Sequence, residues 1–346
     1  MNKQKKRILI IAITSTSMLC IIVNIAFAQS IPGYFGVNLA GGEFGSAKGI
    51  YNKDYAYPTA EEFAYYKAQG LRLIRLPLKW ERLQPVLGKG LDSIELSRVM
   101  AVIDEADKEG LFIIPDIHNY GRRSIEGNGY LIGSPEVSVN DIKYFWAEFA
   151  NALKEKKNIW AYGLMNEPHD MLSSMPWFNI VQEIINGIRE KDSQTHILVA
   201  GDHWSSAHRW LDASDNLKNL KDPSGKLIFE AHVYFDNDNS GVYRASYDVE
   251  KATPNTAVER VKPFADWLKK NNLKGFLGEY GVPGNDARWL VALDNLLKYM
   301  HDNNINGTYW AAGPIWKNYS LSVEPENGKD QPQMKILKKY LKPGKK

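Results

Sequence analysis

Two glutamates draw attention because each directly follows a short apolar run and each sits among polar neighbours. Glu167 follows Ala161–Met165 in the stretch Met165-Asn166-Glu167-Pro168-His169-Asp170, and Glu279 follows Phe276–Gly278 in Gly278-Glu279-Tyr280-Gly281. A lone carboxylate at the end of a strand is readily explained as one half of a salt bridge. A facing pair suggests chemistry: in glycoside hydrolysis one carboxyl acts as acid and then base, and the other as nucleophile. Those roles need different surroundings, so that one group keeps its proton near neutral pH while the other stays charged. Polar and aromatic residues gather after other apolar runs too. They form Arg75-Leu76-Pro77, Asp116-Ile117-His118-Asn119-Tyr120, Gly201-Asp202-His203-Trp204, His232-Val233-Tyr234 and the region of Trp310. Burying so many polar groups is costly unless they are paired or used.

Other chemistries fit less well. His118, His203 and His232 could join the carboxylates around a metal, but neither His-x-His nor His-Glu-x-x-His spacing occurs. No metal and no cofactor is expected. A serine hydrolase would carry Gly-x-Ser-x-Gly, which is absent. Gly41-Gly42-Glu43-Phe44-Gly45 is glycine-rich, yet it lacks the spacing of a dinucleotide loop and is acidic.

The elements that must carry these residues alternate along the chain. Apolar or β-branched runs predict strands at Phe35–Leu39, Leu71–Leu76, Phe112–Ile117, Trp160–Met165, Ile197–Ala200, Leu227–His232, Gly275–Gly278 and Thr308–Trp310. Amphipathic stretches predict helices at Ala60–Gln69, Ser93–Glu109, Ile142–Lys156, Trp177–Lys191, Asn255–Asn271, Arg288–Asn303 and Gln333–Tyr340. A weaker link falls near Ser205–Asp212. Eight strands alternating with helices predict a single (β/α)8 TIM barrel, in which functional groups sit at the C-terminal strand ends. A doubly wound sheet is the structural alternative. Without repeats, low-complexity blocks or a Pro/Ser-rich linker, residues 29–346 read as one catalytic domain.

The chain has 346 residues, 44% apolar and 24% charged, with 43 basic against 40 acidic groups, a formal charge of +3. That composition excludes a disordered chain, a collagen-like repeat and a disulfide-dense miniprotein. The positive excess has a local source. Lys3, Lys5, Lys6 and Arg7 precede an apolar stretch from Ile8 to Phe27, which ends in Ala26-Phe27-Ala28. This is the layout of a secretory signal peptide over residues 1–28, with an uncleaved anchor as the alternative. Its removal leaves 39 basic and 40 acidic residues, a net charge of −1. The only cysteine, Cys20, leaves with it, so the mature chain has no disulfide. The expected product is a secreted or periplasmic monomer. It has no nucleic-acid partner and, after cleavage, no membrane contact.

These motifs resemble glycoside hydrolase family 5, of the cellulase type, over essentially the whole mature chain. The resemblance rests on Gly36-Val-Asn-Leu-Ala-Gly-Gly-Glu-Phe-Gly45, Arg75-Leu-Pro77, Asp116-Ile-His-Asn-Tyr-Gly-Arg122, Met165-Asn-Glu-Pro-His-Asp170, Gly201-Asp-His-Trp204, Phe229-Glu-Ala-His-Val-Tyr234 and Gly278-Glu-Tyr-Gly281. It implies a TIM barrel with Glu167 as acid/base and Glu279 as nucleophile. It implies Asn166 on the sugar 2-hydroxyl, Arg75 and Tyr234 beside the nucleophile, and His118 and His232 lining the site. It also implies Trp310 under the sugar at the cleavage point. A guanidinium and a phenol hydroxyl beside Glu279 would favour its ionised form. The implied reaction is retaining hydrolysis of a cellulose-like β-1,4-glucan, with the carboxyls about 5–5.5 Å apart.

Asn119 joins the supporting residues, and Tyr120, Trp204 and Trp316 are candidate sugar platforms. Trp146, Trp177 and Trp267 read as core. One departure concerns Arg123, which stands where an aromatic residue is expected. It predicts a lost stacking subsite or room for an acidic glycan. Mannan, xyloglucan, a bacterial exopolysaccharide or a non-catalytic glycan-binding barrel are the alternatives.

Overall fold

The computed structural model describes residues 35–316 and 318–341. The leader and Cys20 lie outside the described residues. In chain order the elements are β1 (Phe35–Leu39), α1 (Ala60–Gln69), β2 (Leu73–Leu78), α2 (Trp80–Leu83), α3 (Ser93–Lys108), β3 (Phe112–Ile117), β4 (Arg122–Ile125), β5 (Asn128–Leu131), α4 (Val139–Leu153), β6 (Ala161–Gly163), α5 (Trp177–Arg189), β7 (His196–Ala200), α6 (Asp202–Ser205), α7 (Trp210–Ala213), β8 (Leu227–His232), α8 (Thr256–Asn271), β9 (Gly275–Glu279), α9 (Ala287–Asp302), β10 (Asn306–Ala312) and α10 (Pro332–Leu337). Eight of the strands close a parallel barrel in the order β1-β10-β9-β8-β7-β6-β3-β2, the expected TIM architecture. β4 and β5 form a separate antiparallel hairpin.

Local chemistry sets the boundaries. Thr59 and Glu62 form a capping box at the start of α1, and Gly70 ends it in the left-handed region at φ 98°. Leu71 then donates its N–H to Tyr66 O, so it belongs to the turn that closes the helix. That is why β2 begins at Leu73, two residues later than the apolar run predicts. β6 is also shorter than predicted. Its ladder ends at Gly163, while Asn166 N–H is drawn to Ile117 O of β3. The weak link near Ser205–Asp212 forms the short turns α6 and α7.

Period-two alternation divides the barrel interior into layers. Leu73, Ile114, Leu198, Ile228 and Phe276 form a separate apolar cluster with Trp160 and Ala161. Two residues further along the same strands stand Arg75, Asp116 and Glu230, each fully buried. His118 and His232 follow another two residues on. Glycines make the charged layer possible: a Cβ on Gly163 would stand 2.9 Å from Asp116 Oδ1, and one on Gly278 would stand 1.8 Å from Glu230 Oε1. Trp80, Trp146, Trp177 and Trp267 are all buried in packing, Trp146, Trp177 and Trp267 as expected.

Candidate active site

Glu279 ends β9 and is gripped at both oxygens. Arg75 Nη1 donates to Oε1 at 3.0 Å, and Tyr234 OH donates to Oε2 at 2.7 Å. Burial, with the Glu279 charge next in weight, raises the Tyr234 pKa well above its ordinary value, so the phenol remains a donor. Glu167 follows β6 with φ 41°, a left-handed backbone that a side chain adopts at a cost and that recurs at functional positions. His232 Nδ1 lies 2.8 Å from Glu167 Oε1 and 3.7 Å from Glu279 Oε2. One atom each from Glu167, His232 and Glu279 falls within 4.8 Å of the others. Among the described residues this is the one His/carboxylate trio so close together. Each member is already engaged with its neighbours, so the trio is read as carrying protons and charge.

Arg75 anchors the site from below. Besides Glu279 it donates to Asn38 Oδ1 at 3.0 Å and Asn166 Oδ1 at 2.8 Å. Its Nη2 lies 3.0 Å from Asp116 Oδ1 and its Nε 3.1 Å from Glu230 Oε1. Burial pushes Asp116 up to about 7, with Arg75 opposing. Burial presses Glu230 upward as the largest single influence, but Arg75 and His232 together outweigh it and hold that carboxyl below its ordinary range. Asn166 Nδ2–H donates to His118 Nε2 at 3.0 Å, which places the His118 proton on Nδ1, 2.9 Å from Asp116 Oδ2. Burial lowers the His118 pKa to about 3, so this histidine is neutral at ordinary pH.

Loops tie the rim together. Tyr120 N–H donates to Asn166 O and Trp204 N–H to Pro168 O, and Tyr120, His203 and Trp204 all have left-handed backbones. They border a cavity of about 690 Å³ that also contains Glu167, His232 and Tyr234. Trp204 is 40% exposed and stacks on His169 at 4.1 Å. Trp310 stacks on His118 at 5.5 Å, donates to Tyr319 OH and packs edge-on to Trp316. Trp316 stacks in turn on Tyr319 at 4.2 Å.

Two sequence expectations change. Asn119 is occupied elsewhere: its Oδ1 accepts from Trp80 N–H and its Nδ2 donates to Glu81, so it braces a loop and does not reach the carboxylates. Arg123 is 2% exposed, covers the Trp80 ring and donates to Gln84 O, so it offers no subsite for an acidic glycan. Arg122 is likewise engaged with Tyr120 O and His169. Sequence reasoning passed over Asn38, Asp116 and Glu230 as site residues. A signal existed for the last two: each lies two positions before a site histidine and therefore on the same interior face.

This architecture, with two carboxyls across the mouth of a barrel, defines a glycosidase-type site, and comparison with known proteins agrees. The family model described as cellulase (glycosyl hydrolase family 5) matches residues 32–315. The probable endo-β-1,4-glucanase B of Neosartorya fischeri is 34% identical over 90% of this chain and 92% of its own length. Endoglucanase Cel5A of Pseudomonas stutzeri, solved with cellobiose, superposes with a TM-score of 0.84 at 40% identity, covering 89% of this chain and 92% of that one. An endo-β-1,4-glucanase of Xanthomonas axonopodis pv. citri superposes with a TM-score of 0.82 at 34% identity over 89% and 98%. The chain belongs to glycosyl hydrolase family 5.

Proposed function

We propose that the protein is an endo-β-1,4-glucanase that cleaves cellulose-like chains with retention, through a covalent glycosyl-enzyme. The observation that carries this reading is the separation of the carboxyls. Oxygens of Glu167 and Glu279 within 4.8 Å suit the roughly 5–5.5 Å of retaining enzymes, not the roughly 6.5–9.5 Å of inverting ones. The cellobiose bound by the Pseudomonas stutzeri relative supports the choice of glycan.

In the first step a Glu279 oxygen attacks the anomeric carbon. The glycosidic C–O bond breaks, and Glu167 gives its proton to the departing oxygen. In the second step water bonds to the same carbon and its proton goes to Glu167. The bond to Glu279 breaks as the bond to water forms. Arg75 and Tyr234 aim the nucleophile. The second N–H of Asn166 is free for the sugar 2-hydroxyl, and Trp310 beside His118 underlies the ring. Tyr120 and Trp204 serve the side of the cleft next to Glu167, with Trp316 near Trp310. A leader over residues 1–28 would export the enzyme to the periplasm or beyond; among the described residues no helix is long and apolar enough to cross a membrane.

The test is NMR of the first products from a soluble β-1,4-glucan. New reducing ends should appear as the β-anomer. Initial α-anomer overturns retention, and no new reducing ends overturns the activity. A panel of defined β-glycans fixes the linkage: strong preference for mannan or xyloglucan would replace the substrate and keep the mechanism. Glu167→Ala should still turn over a substrate with a good leaving group and be accelerated by azide. A β-configured glycosyl azide from Glu279→Ala, in place of the α-azide that a missing nucleophile gives, would exchange the two roles.

A further inference from the structure

The retaining cycle gives no task to Glu230. Glu230 is fully buried on β8, two residues below His232. Its Oε1 lies 3.1 Å from Arg75 Nε and 3.4 Å from His232 Nε2, and its Oε2 has no hydrogen-bond partner. A buried ion pair is a poor device for stability, since apolar replacements of similar volume often do as well or better. A carboxylate kept here, against a strand that needs a glycine to admit it, suggests a use.

His232 supplies that use. Its Nδ1 faces Glu167 at 2.8 Å and Glu279 at 3.7 Å, while its Nε2 faces Glu230. A neutral imidazole has one N–H, so one lone pair would then face either Glu230 or whichever of Glu167 and Glu279 is ionised at that stage. An imidazolium donates at both ends. We propose that Glu230 is a positioning residue that holds His232 as an imidazolium throughout the cycle. A fixed positive charge then stands between the two catalytic carboxyls while negative charge passes from one to the other. The proposal rests on the retaining reading above.

The balance of charge follows from the two steps. Before reaction Glu279 is the anion and Glu167 holds the proton. When Glu279 bonds to the anomeric carbon and Glu167 yields its proton, the anion is Glu167. When water adds and its proton returns to Glu167, the carbon–Glu279 bond breaks and the charge goes back. Glu279 keeps Arg75 as its cation whenever it is ionised, whereas the anion formed on Glu167 in the first half-cycle has His232 as its contacting cation. The charged groups around the ring are Glu167, Glu279, Glu230 and Asp116 on the acidic side and Arg75 on the basic side. His118 is neutral. Burial lowers the His232 pKa, but Glu279, Glu167 and Glu230 together push it up to about 10.

The test uses the full chain, with ¹⁵N NMR of the His232 ring and kinetics on an aryl cellobioside whose good leaving group makes release from Glu279 the slow step. In the wild type both ring nitrogens should stay protonated to about pH 8 without substrate. In Glu230→Gln the His232 midpoint should fall by at least about one pH unit, and the basic limb of kcat should move down with it. Glu230→Asp, which keeps the charge, should keep that limb near the wild-type position. A wild-type His232 with a single N–H at about pH 7 overturns the proposal. So does a Glu230→Gln variant whose midpoint and basic limb are unchanged. Should Glu230→Gln not fold, the wild-type spectrum decides. Because that spectrum is read without substrate, its failure is distinct from an inverted or absent product, which would overturn the retaining reading.

Discussion

Two residues along the same strands separate opposite environments inside this barrel. Leu73, Ile114 and Ile228 meet in an apolar layer toward the N-terminal strand ends. Arg75, Asp116 and Glu230, next on the same faces, meet in a layer of charge. The spacing is about 6.6 Å at the usual rise of a strand. The lower layer needs volume and little else, because dispersion and water exclusion are insensitive to which apolar group supplies them. The upper layer depends on partners. Arg75 touches three carboxylates, so removing one member changes the charge state of the rest. Stability and chemistry therefore respond to different substitutions within one interior.

The strongest way to break that contrast is Arg75→Met. It leaves Asp116, Glu230 and Glu279 without their shared cation, and about 3–5 kcal/mol of stability should be lost in urea titration along with nearly all activity. A stable, active variant would mean that the charged layer carries neither load. Leu198→Ala in the apolar layer should cost about 2–5 kcal/mol while kcat of the folded enzyme stays within about twofold. A large fall in kcat there would erase the distinction between the layers.

The pH dependence of stability sharpens it further. Asp116 is raised to about 7 in the fold, so its contribution is complete at low pH and is lost as pH rises through about 7. His118 is lowered to about 3, so stability from keeping it neutral is gained as pH rises toward the ordinary histidine range, about 6.5. The two slopes oppose each other over the same window. Asp116→Asn should therefore make stability climb more steeply from about pH 4 to 6.5 than in the wild type, as read by thermal melts. A flatter curve would contradict the assignment. The smallest effect belongs to Arg123→Met. It should lower stability by about 1 kcal/mol and leave the ratio of activities on neutral and carboxylated glucans unchanged. A changed ratio would return Arg123 to the cleft.

Much of this was legible in the residues. β1, β3 and β8 run where the apolar runs place them, and residues within or just after β2, β3, β6, β8 and β9 supply Arg75, His118, Asn166, Glu167, Tyr234 and Glu279 to one mouth. What stayed hidden depended on neighbours remote in sequence. The β4–β5 hairpin turns through Glu126 and Gly127, both at positive φ, and a glutamate is a poor advertisement for that conformation. Once the hairpin forms, Arg123 turns under the rim onto Trp80, which its neighbours in sequence do not announce. Asn119 likewise reads as a site residue beside His118 and Tyr120, and its amide is used by Trp80 and Glu81. The distance between Glu167 and Glu279 exists only after the barrel closes.

Gly278 carries a consequence for how such a site can change. Its missing side chain is the space that Glu230 occupies, 1.8 Å from where a Cβ would stand. An alanine at 278 and a glutamate at 230 exclude each other. Varied singly, Gly278 should look immutable, although nothing about its own backbone requires glycine. The alanine becomes reachable only after Glu230, and with it the counter-charge beneath His232, has been given up and the His232 ring, whose Nε2 would stand 2.8 Å from the new Cβ, has shifted. Descendants of this sequence thus face an ordered path, in which the loss of a charge must precede the filling of a space, and a filled space bars the way back.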